Sequence, residues 1–218
     1  MNRLPIPHVF DREPIMAIVR GGDGSNLAEV CDTLVSAGIR HLELTTNTPG
    51  WQVVLPQLAS QDGVTVGVGT VTQPDQVTEG QGLGAGFIVA PDTNPDVGEA
   101  AARAGLPWYP GALTPTEVLR AWQWGATAVK VFPWRAMGGL TYLRDLGGPL
   151  PHVPLIPTGG VSLDHIRPLL ELGVVGMGIG SPLLGSVFAD GSLTALAGRC
   201  RAVLDEVAAA RGGGGGPR

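Results

Sequence analysis

Of the fourteen lysines and arginines in this 218-residue chain, only Lys130 is a lysine. It stands in Ala126-Thr-Ala-Val-Lys-Val-Phe-Pro133, between two valines. Side chains alternate along a strand, so if Val129 and Val131 face a helical layer, Lys130 faces the interior. Burial disfavours the ammonium form and lowers a lysine pKa from about 10.4 by several units, leaving an amine able to attack a ketone. In an arginine-rich chain one lysine could survive by chance or in an interior Lys–Glu ion pair. A guanidinium cannot form a Schiff base, however, so a solitary lysine on an apolar strand points to imine chemistry.

Glu43, in His41-Leu-Glu-Leu-Thr-Thr46, also lies between apolar neighbours and is expected to face inward. Imine formation and breakdown need a group that moves protons to the carbinolamine oxygen and to the enamine carbon, and a carboxyl group can do both. The alternative is that Glu43 only neutralises Lys130. Thr70 ends Val66-Gly-Val-Gly-Thr70, where small residues let a ligand approach and the hydroxyl can bind a carboxylate. Arg20 closes the first apolar run and could pair with an anionic oxygen or be solvated. Two glycine-rich stretches near the C-terminus, Pro157-Thr-Gly-Gly-Val-Ser162 and Gly176-Met-Gly-Ile-Gly-Ser-Pro182, have the composition of loops that bind phosphate through backbone N–H groups.

The elements that must position these groups are short apolar runs, each followed by a segment of helical character. They are Ile15–Arg20, His41–Thr46, Thr65–Thr70, Phe87–Pro91, Trp108–Ala112, Ala128–Pro133, Pro154–Gly159 and Val175–Gly180, with starts 20 to 26 residues apart. Eight strand–helix units in one chain of this length predict an α/β fold, a single closed (β/α)8 TIM barrel with a short N-terminal helix within residues 1–14. Thr114 followed by Glu117, Ser25-Asn26, and Ser162 with Asp164 read as helix starts, and Gly38, Gly105, Gly125 and Gly173 as helix ends. One domain over residues 1–211 is expected, followed by a disordered glycine-rich tail over 212–218.

A formal net charge of −5 provides no cationic field for nucleic acid or an anionic membrane. No apolar run approaches the roughly 20 residues of a membrane helix, and with the first apolar run short and followed by Arg20 no signal peptide is expected. Cys31 and Cys200 are far apart and read as reduced thiols, which suits the cytoplasm. His8, His41, His152 and His165 lack metal-ligand spacing, so neither metal nor other cofactor is expected. Trp122 and Trp124 read as helix packing or a subunit interface.

Several stretches follow one another in an informative order: Met16-Ala-Ile-Val-Arg-Gly21, Leu42-Glu-Leu-Thr45, Gly67-Val-Gly-Thr-Val71, Ile88-Val-Ala-Pro91, Pro110-Gly111 with Thr114-Pro-Thr-Glu117, Val129-Lys-Val-Phe-Pro133, Pro157-Thr-Gly-Gly-Val161 and Gly178-Ile-Gly-Ser181. Through them the chain, from about Ile15 to Gly185, resembles the 2-keto-3-deoxy-6-phosphogluconate (KDPG) and 2-keto-3-deoxy-6-phosphogalactonate (KDPGal) aldolases. The resemblance implies reversible cleavage of a six-carbon 2-keto-3-deoxy-6-phospho sugar acid to pyruvate and glyceraldehyde 3-phosphate, without metal, by a homotrimer. It implies Lys130 as the Schiff-base lysine, Glu43 as the proton shuttle, Arg20, Thr70 and Pro91 at the pyruvyl end, and Gly159, Gly160, Gly180 and Ser181 at the phosphate. Gluconate-type enzymes carry an arginine where this chain has Asn47, which looks galactonate-like, whereas Thr158 looks gluconate-like. Trp134-Arg135 after the lysine strand is unusual for the family. Alternatives are cleavage of 4-hydroxy-2-oxoglutarate by the same lysine, a sugar-phosphate isomerase or epimerase, and a non-catalytic sugar-phosphate binder.

Overall fold

The computed structural model describes residues 3–212. Its strands are β1 (Ile15–Val19), β2 (His41–Thr45), β3 (Thr65–Gly69), β4 (Ile88–Val89), β5 (Trp108–Tyr109), β6 (Gly111–Ala112), β7 (Val129–Val131), β8 (Leu155–Pro157) and β9 (Met177–Ile179). All pairings are parallel, and helical segments connect every successive pair except β5 and β6. Each expected run therefore contains a strand. The short N-terminal helix is Val9–Arg12. Of the expected tail, Gly212 ends the helix Leu193–Gly212, and residues 213–218 lie outside the described residues.

The expectation of one closed eight-stranded barrel does not hold. The backbone forms two parallel sheets, six strands in the order β5-β4-β3-β2-β1-β9 and three in the order β6-β7-β8. The cause at one junction is Pro110, which has no N–H to donate to a ladder. It splits the fifth run, so that Trp108 and Tyr109 pair with β4 while Gly111 and Ala112 pair with β7. At the other junction no ladder forms, and the backbones are joined by the isolated bridge between Thr158 and Gly178 and by the bond from the Val175 N–H to Leu155 O at 3.2 Å. Counting apolar runs finds strands but not the continuity of hydrogen bonding between them.

Alternation sorts the side chains onto two faces. Ile15, Ala17, Val19, Leu42, Leu44, Val129 and Val131 pack in the larger core between strands and helices. Burial of each Val, Leu or Ile there contributes about 1.5–3 kcal/mol. Met16, Phe87, Val89, Tyr109, Ala128 and Ile156 form a second cluster on the opposite face, which Phe10 joins from the N-terminal helix. His41 lies among these rings, 4.5 Å from Phe10 and 4.4 Å from Phe87 between centroids. Burial pushes its pKa down to about 3, so the imidazole stays neutral. One end of the enclosed space is thus filled by aromatic packing. Glu43, two residues further along β2, belongs to the other end.

Local signals agree with these elements. Thr114 and Glu117 form a reciprocal cap on the helix Pro115–Gln123, with the Thr114 N–H donating to the Glu117 carboxylate at 2.7 Å. Gly105 ends the helix Pro95–Ala104 in the left-handed region at φ 69°, where a Cβ would be strained.

Glu13, next to β1, is the buried acid on the periphery of this core. Both carboxylate oxygens accept from the Arg40 backbone N–H at 3.1 Å. Burial raises its pKa to about 7, against the lowering effect of that N–H and of the Arg40 charge. A carboxyl group whose folded pKa lies above its unfolded value adds stability below about pH 4.5, and loses it as the pH rises through about 7. Glu13→Gln removes the ionisation and keeps an acceptor. It is expected to gain about 1–3 kcal/mol over the parent at pH 8 and almost nothing at pH 4. Urea unfolding at the two pH values measures this, and equal differences at both would refute the assignment.

Candidate active site

Lys130 is central in β7, held by a hydrogen bond from its backbone N–H to Pro110 O at 2.9 Å. Its side chain is 3% exposed and points away from Val129 and Val131, which lie in the helix-facing core. The amine lines a cavity of about 230 Å³ with Ile18, Arg20, Phe132, Thr158, Gly159, Gly160, Gly180, Ser181 and Phe188. Burial lowers the Lys130 pKa most strongly; the Glu43 carboxylate opposes the shift and the Arg20 guanidinium adds to it. The residue therefore has the setting that favours a neutral, nucleophilic amine.

Glu43 is fully buried, and neither carboxylate oxygen has a hydrogen-bond partner. It forms no ion pair with Lys130 within 4.0 Å. Its charge still acts to raise the Lys130 pKa, so the two groups are coupled without direct contact. Gly69 explains the fit: a Cβ there would collide with Glu43 Oε1. A buried acceptor without a donor is costly, and such groups cluster where a ligand or proton transfer supplies the missing partner.

Arg20, just beyond β1, donates from Nη2 to the Thr70 hydroxyl at 2.9 Å. Thr70 has φ 60°, and is the one non-glycine residue with positive φ among the described residues. Thr46 further fixes it, with its hydroxyl donating to Thr70 O at 3.0 Å. Strain held in this way by neighbouring hydrogen bonds is a feature of functional sites. It aims the Thr70 hydroxyl at Arg20, and Arg20 at the cavity.

The glycine-rich stretches converge on the far side of the cavity. Thr158 is buried and donates to Ile156 O at 3.2 Å. Gly159 and Gly160 have φ 95° and 78°, and a side chain on Gly159 would press on the Phe132 ring at 3.1 Å. Gly180 and Ser181 begin the turn after β9 and complete this wall.

Four expected residues do not line the cavity: Thr70 reaches it through its bond from Arg20 and Glu43 through its charge on Lys130, whereas Asn47 and Pro91 have neither link. Asn47 is exposed in the turn after β2 and does not line the cavity. Pro91 lines a neighbouring groove, separated from Lys130 by Phe132, which borders both. Trp124 lines that groove too, whereas Trp122 is covered by the Arg3 guanidinium, 3.2 Å from its ring centroid.

Phe132 and Phe188 were missed from the sequence. Phe132 was findable, since it lies two residues beyond Lys130 and shares its face. Phe188 was not. It comes from the short helix Val187–Asp190 and meets Gly21 and Gly22 across the mouth, where a Cβ on Gly22 would lie 2.8 Å from its ring.

Comparison with known proteins agrees with this geometry. The KDPG and KHG aldolase family model matches residues 6–194. The chain is 31% identical over 166 residues to the 2-dehydro-3-deoxy-phosphogluconate aldolase of Pseudoalteromonas atlantica, covering 75% of this chain and 77% of that protein. It is 32% identical over 173 residues to the 2-dehydro-3-deoxy-6-phosphogalactonate aldolase of Escherichia coli, covering 78% and 84% respectively. The KDPG aldolase of Legionella pneumophila, solved with pyruvate captured at low pH as a covalent carbinolamine intermediate, superposes with a TM-score of 0.81 at 26% identity, covering 89% of this chain and 96% of that one. With a buried amine, a buried unpartnered carboxylate and a family match across most of its length, the chain belongs to the KDPG and KHG aldolase family and is a class I carbon–carbon lyase.

Proposed function

We propose that Lys130 forms the imine with the C2 carbonyl of a 2-keto-3-deoxy-6-phospho sugar acid, releasing pyruvate and glyceraldehyde 3-phosphate after C3–C4 cleavage. The observation that carries this is the only lysine of the chain, buried in a cavity with its ammonium form disfavoured. Attack of the neutral amine on C2 gives a carbinolamine, and loss of water gives an iminium. Removal of the C4 hydroxyl proton then breaks C3–C4, and the bonding pair moves to C3 as the enamine. Protonation of C3 and hydrolysis release pyruvate and restore the amine. Glu43 takes and returns these protons, since its oxygens have no other partner.

Arg20 and Thr70 hold the pyruvyl carboxylate, and Gly159, Gly160, Gly180 and Ser181 hold the phosphate, with Thr158 positioning the loop between them. Pro91 and Asn47, outside the cavity wall, are assigned to the approach of the substrate rather than to contact at the reacting atoms. A 4-hydroxy-2-oxoglutarate substrate would leave the glycine end of the cavity unused, which favours the phosphorylated acid. Membership of a lyase family sets aside the isomerase, epimerase and non-catalytic readings.

The test is borohydride reduction in the presence of pyruvate. One pyruvyl adduct on Lys130 is expected by peptide mass mapping, and an unmodified lysine would overturn the assignment. We also propose one catalytic domain over residues 1–211, working in the cytoplasm as a homotrimer, as the family resemblance implies. No helix among the described residues is long and apolar enough to cross a membrane. Light scattering that returned a monomer mass would discard the trimer.

A further inference from the structure

We infer that Arg135 is a specificity-determining residue that supplies the positive charge for the distal phosphate of the substrate, over the rim formed by Gly159 and Gly160. The assignment rests on the proposed reading of the cavity. It begins from position: Arg135 lies in the 3-10 turn Trp134–Met137 that follows the lysine strand. A methyl group on Gly160 would lie 3.2 Å from Arg135 Cδ and 3.7 Å from its Nη1, so the arginine crosses directly above a glycine that lines the cavity.

The turn is built to present it. Trp134, next to it, is fully buried, its ring 5.2 Å from that of His165 in an edge-on contact. His165 accepts the Ser162 N–H at 3.1 Å, so the turn after β7 is clamped to the loop after β8. With the tryptophan locked in the core, the following side chain must project outward at the rim.

The charge is also uncommitted. Among the described residues Arg135 makes no ion pair within 4.0 Å and no side-chain hydrogen bond. The exposed Asp164 feels its charge only weakly, since the Asp164 pKa is lowered mainly by the Ser162 hydroxyl and then His165, with Arg135 the smallest contributor. Arg20, the arginine that lines the cavity itself, is bonded to Thr70 on the pyruvyl side. The glycine loops offer neutral N–H donors to a phosphate, and Arg135, beside Gly160, adds a full charge and a planar fork of donors there.

Steady-state kinetics of Arg135→Ala, Arg135→Gln and Arg135→Lys test this with a 6-phosphorylated and an unphosphorylated 2-keto-3-deoxy sugar acid. The alanine and glutamine variants are expected to raise KM for the phosphorylated acid by about tenfold to a hundredfold, with kcat within about twofold. KM for the unphosphorylated acid should not move, and lysine should recover part of the loss. Equal effects on both substrates, or an unchanged KM for the phosphorylated one, would overturn the role. So would loss of the pyruvate adduct in the variants while the parent retains it, because Arg135 would then support the fold. Absence of the adduct in the parent would instead sink the imine reading itself.

Discussion

Lys130→Met is expected to lower carbon–carbon cleavage by at least about four orders of magnitude and to abolish the borohydride-trapped pyruvate adduct. Methionine matches the apolar stem of lysine up to Cε but has no amine. The same variant should be more stable than the parent at neutral and acid pH. A lysine whose folded pKa is depressed contributes stability above its unfolded pKa and loses it as the pH falls through the folded one. Removing the ammonium therefore helps most on the acid side and not at all once the parent amine is neutral in both states. Thermal unfolding of parent and variant across pH measures this. Cleavage that survived the substitution would remove the basis of the mechanism, and a variant less stable at every pH would show that the buried amine is structural.

Glu43→Gln should lower kcat by about a hundredfold to ten-thousandfold while the fold and pyruvate affinity persist. The carboxylate is fully buried, fits against Gly69 and has no hydrogen-bond partner, so an amide of the same shape fills its place without moving protons. Exchange of the methyl protons of pyruvate with deuterated water isolates the step at C3, and should slow by a similar factor. If kcat and exchange both stayed within about tenfold of the parent, the proton transfer would belong to another group or to solvent.

The chemistry of this site was more legible in the sequence than its enclosure. Lys130 and Glu43 could be placed because a strand repeats every two residues, and valines or leucines on either side fix which face is apolar. The same rule, carried one step further, would have yielded Phe132. The break at Pro110 was also written in the chain, as a residue without an N–H in the middle of a strand, but periodicity alone reads through it. Thr70 illustrates a different limit. Its type suggested a hydroxyl ligand, yet its left-handed backbone and its bond from Arg20 depend on three strand ends meeting in space. Phe188 is further removed still, since its contact with Gly21 and Gly22 joins loops about 165 residues apart. Asn47 marks another limit, since residue type alone does not show that the turn leaves its side chain in solvent, outside the cavity wall.

Because the sole lysine is 3% exposed, the outer surface of the described molecule offers no primary amine from any side chain. Activated esters, aldehyde fixatives and resins that capture ε-amines find no handle on that exterior. Acylation of the one ε-amine must go through the cavity mouth between Arg20 and Phe188, and so a bound keto acid shields that amine from modification. Labelling stoichiometry on the intact polypeptide thereby becomes a direct gauge of how full the cavity is.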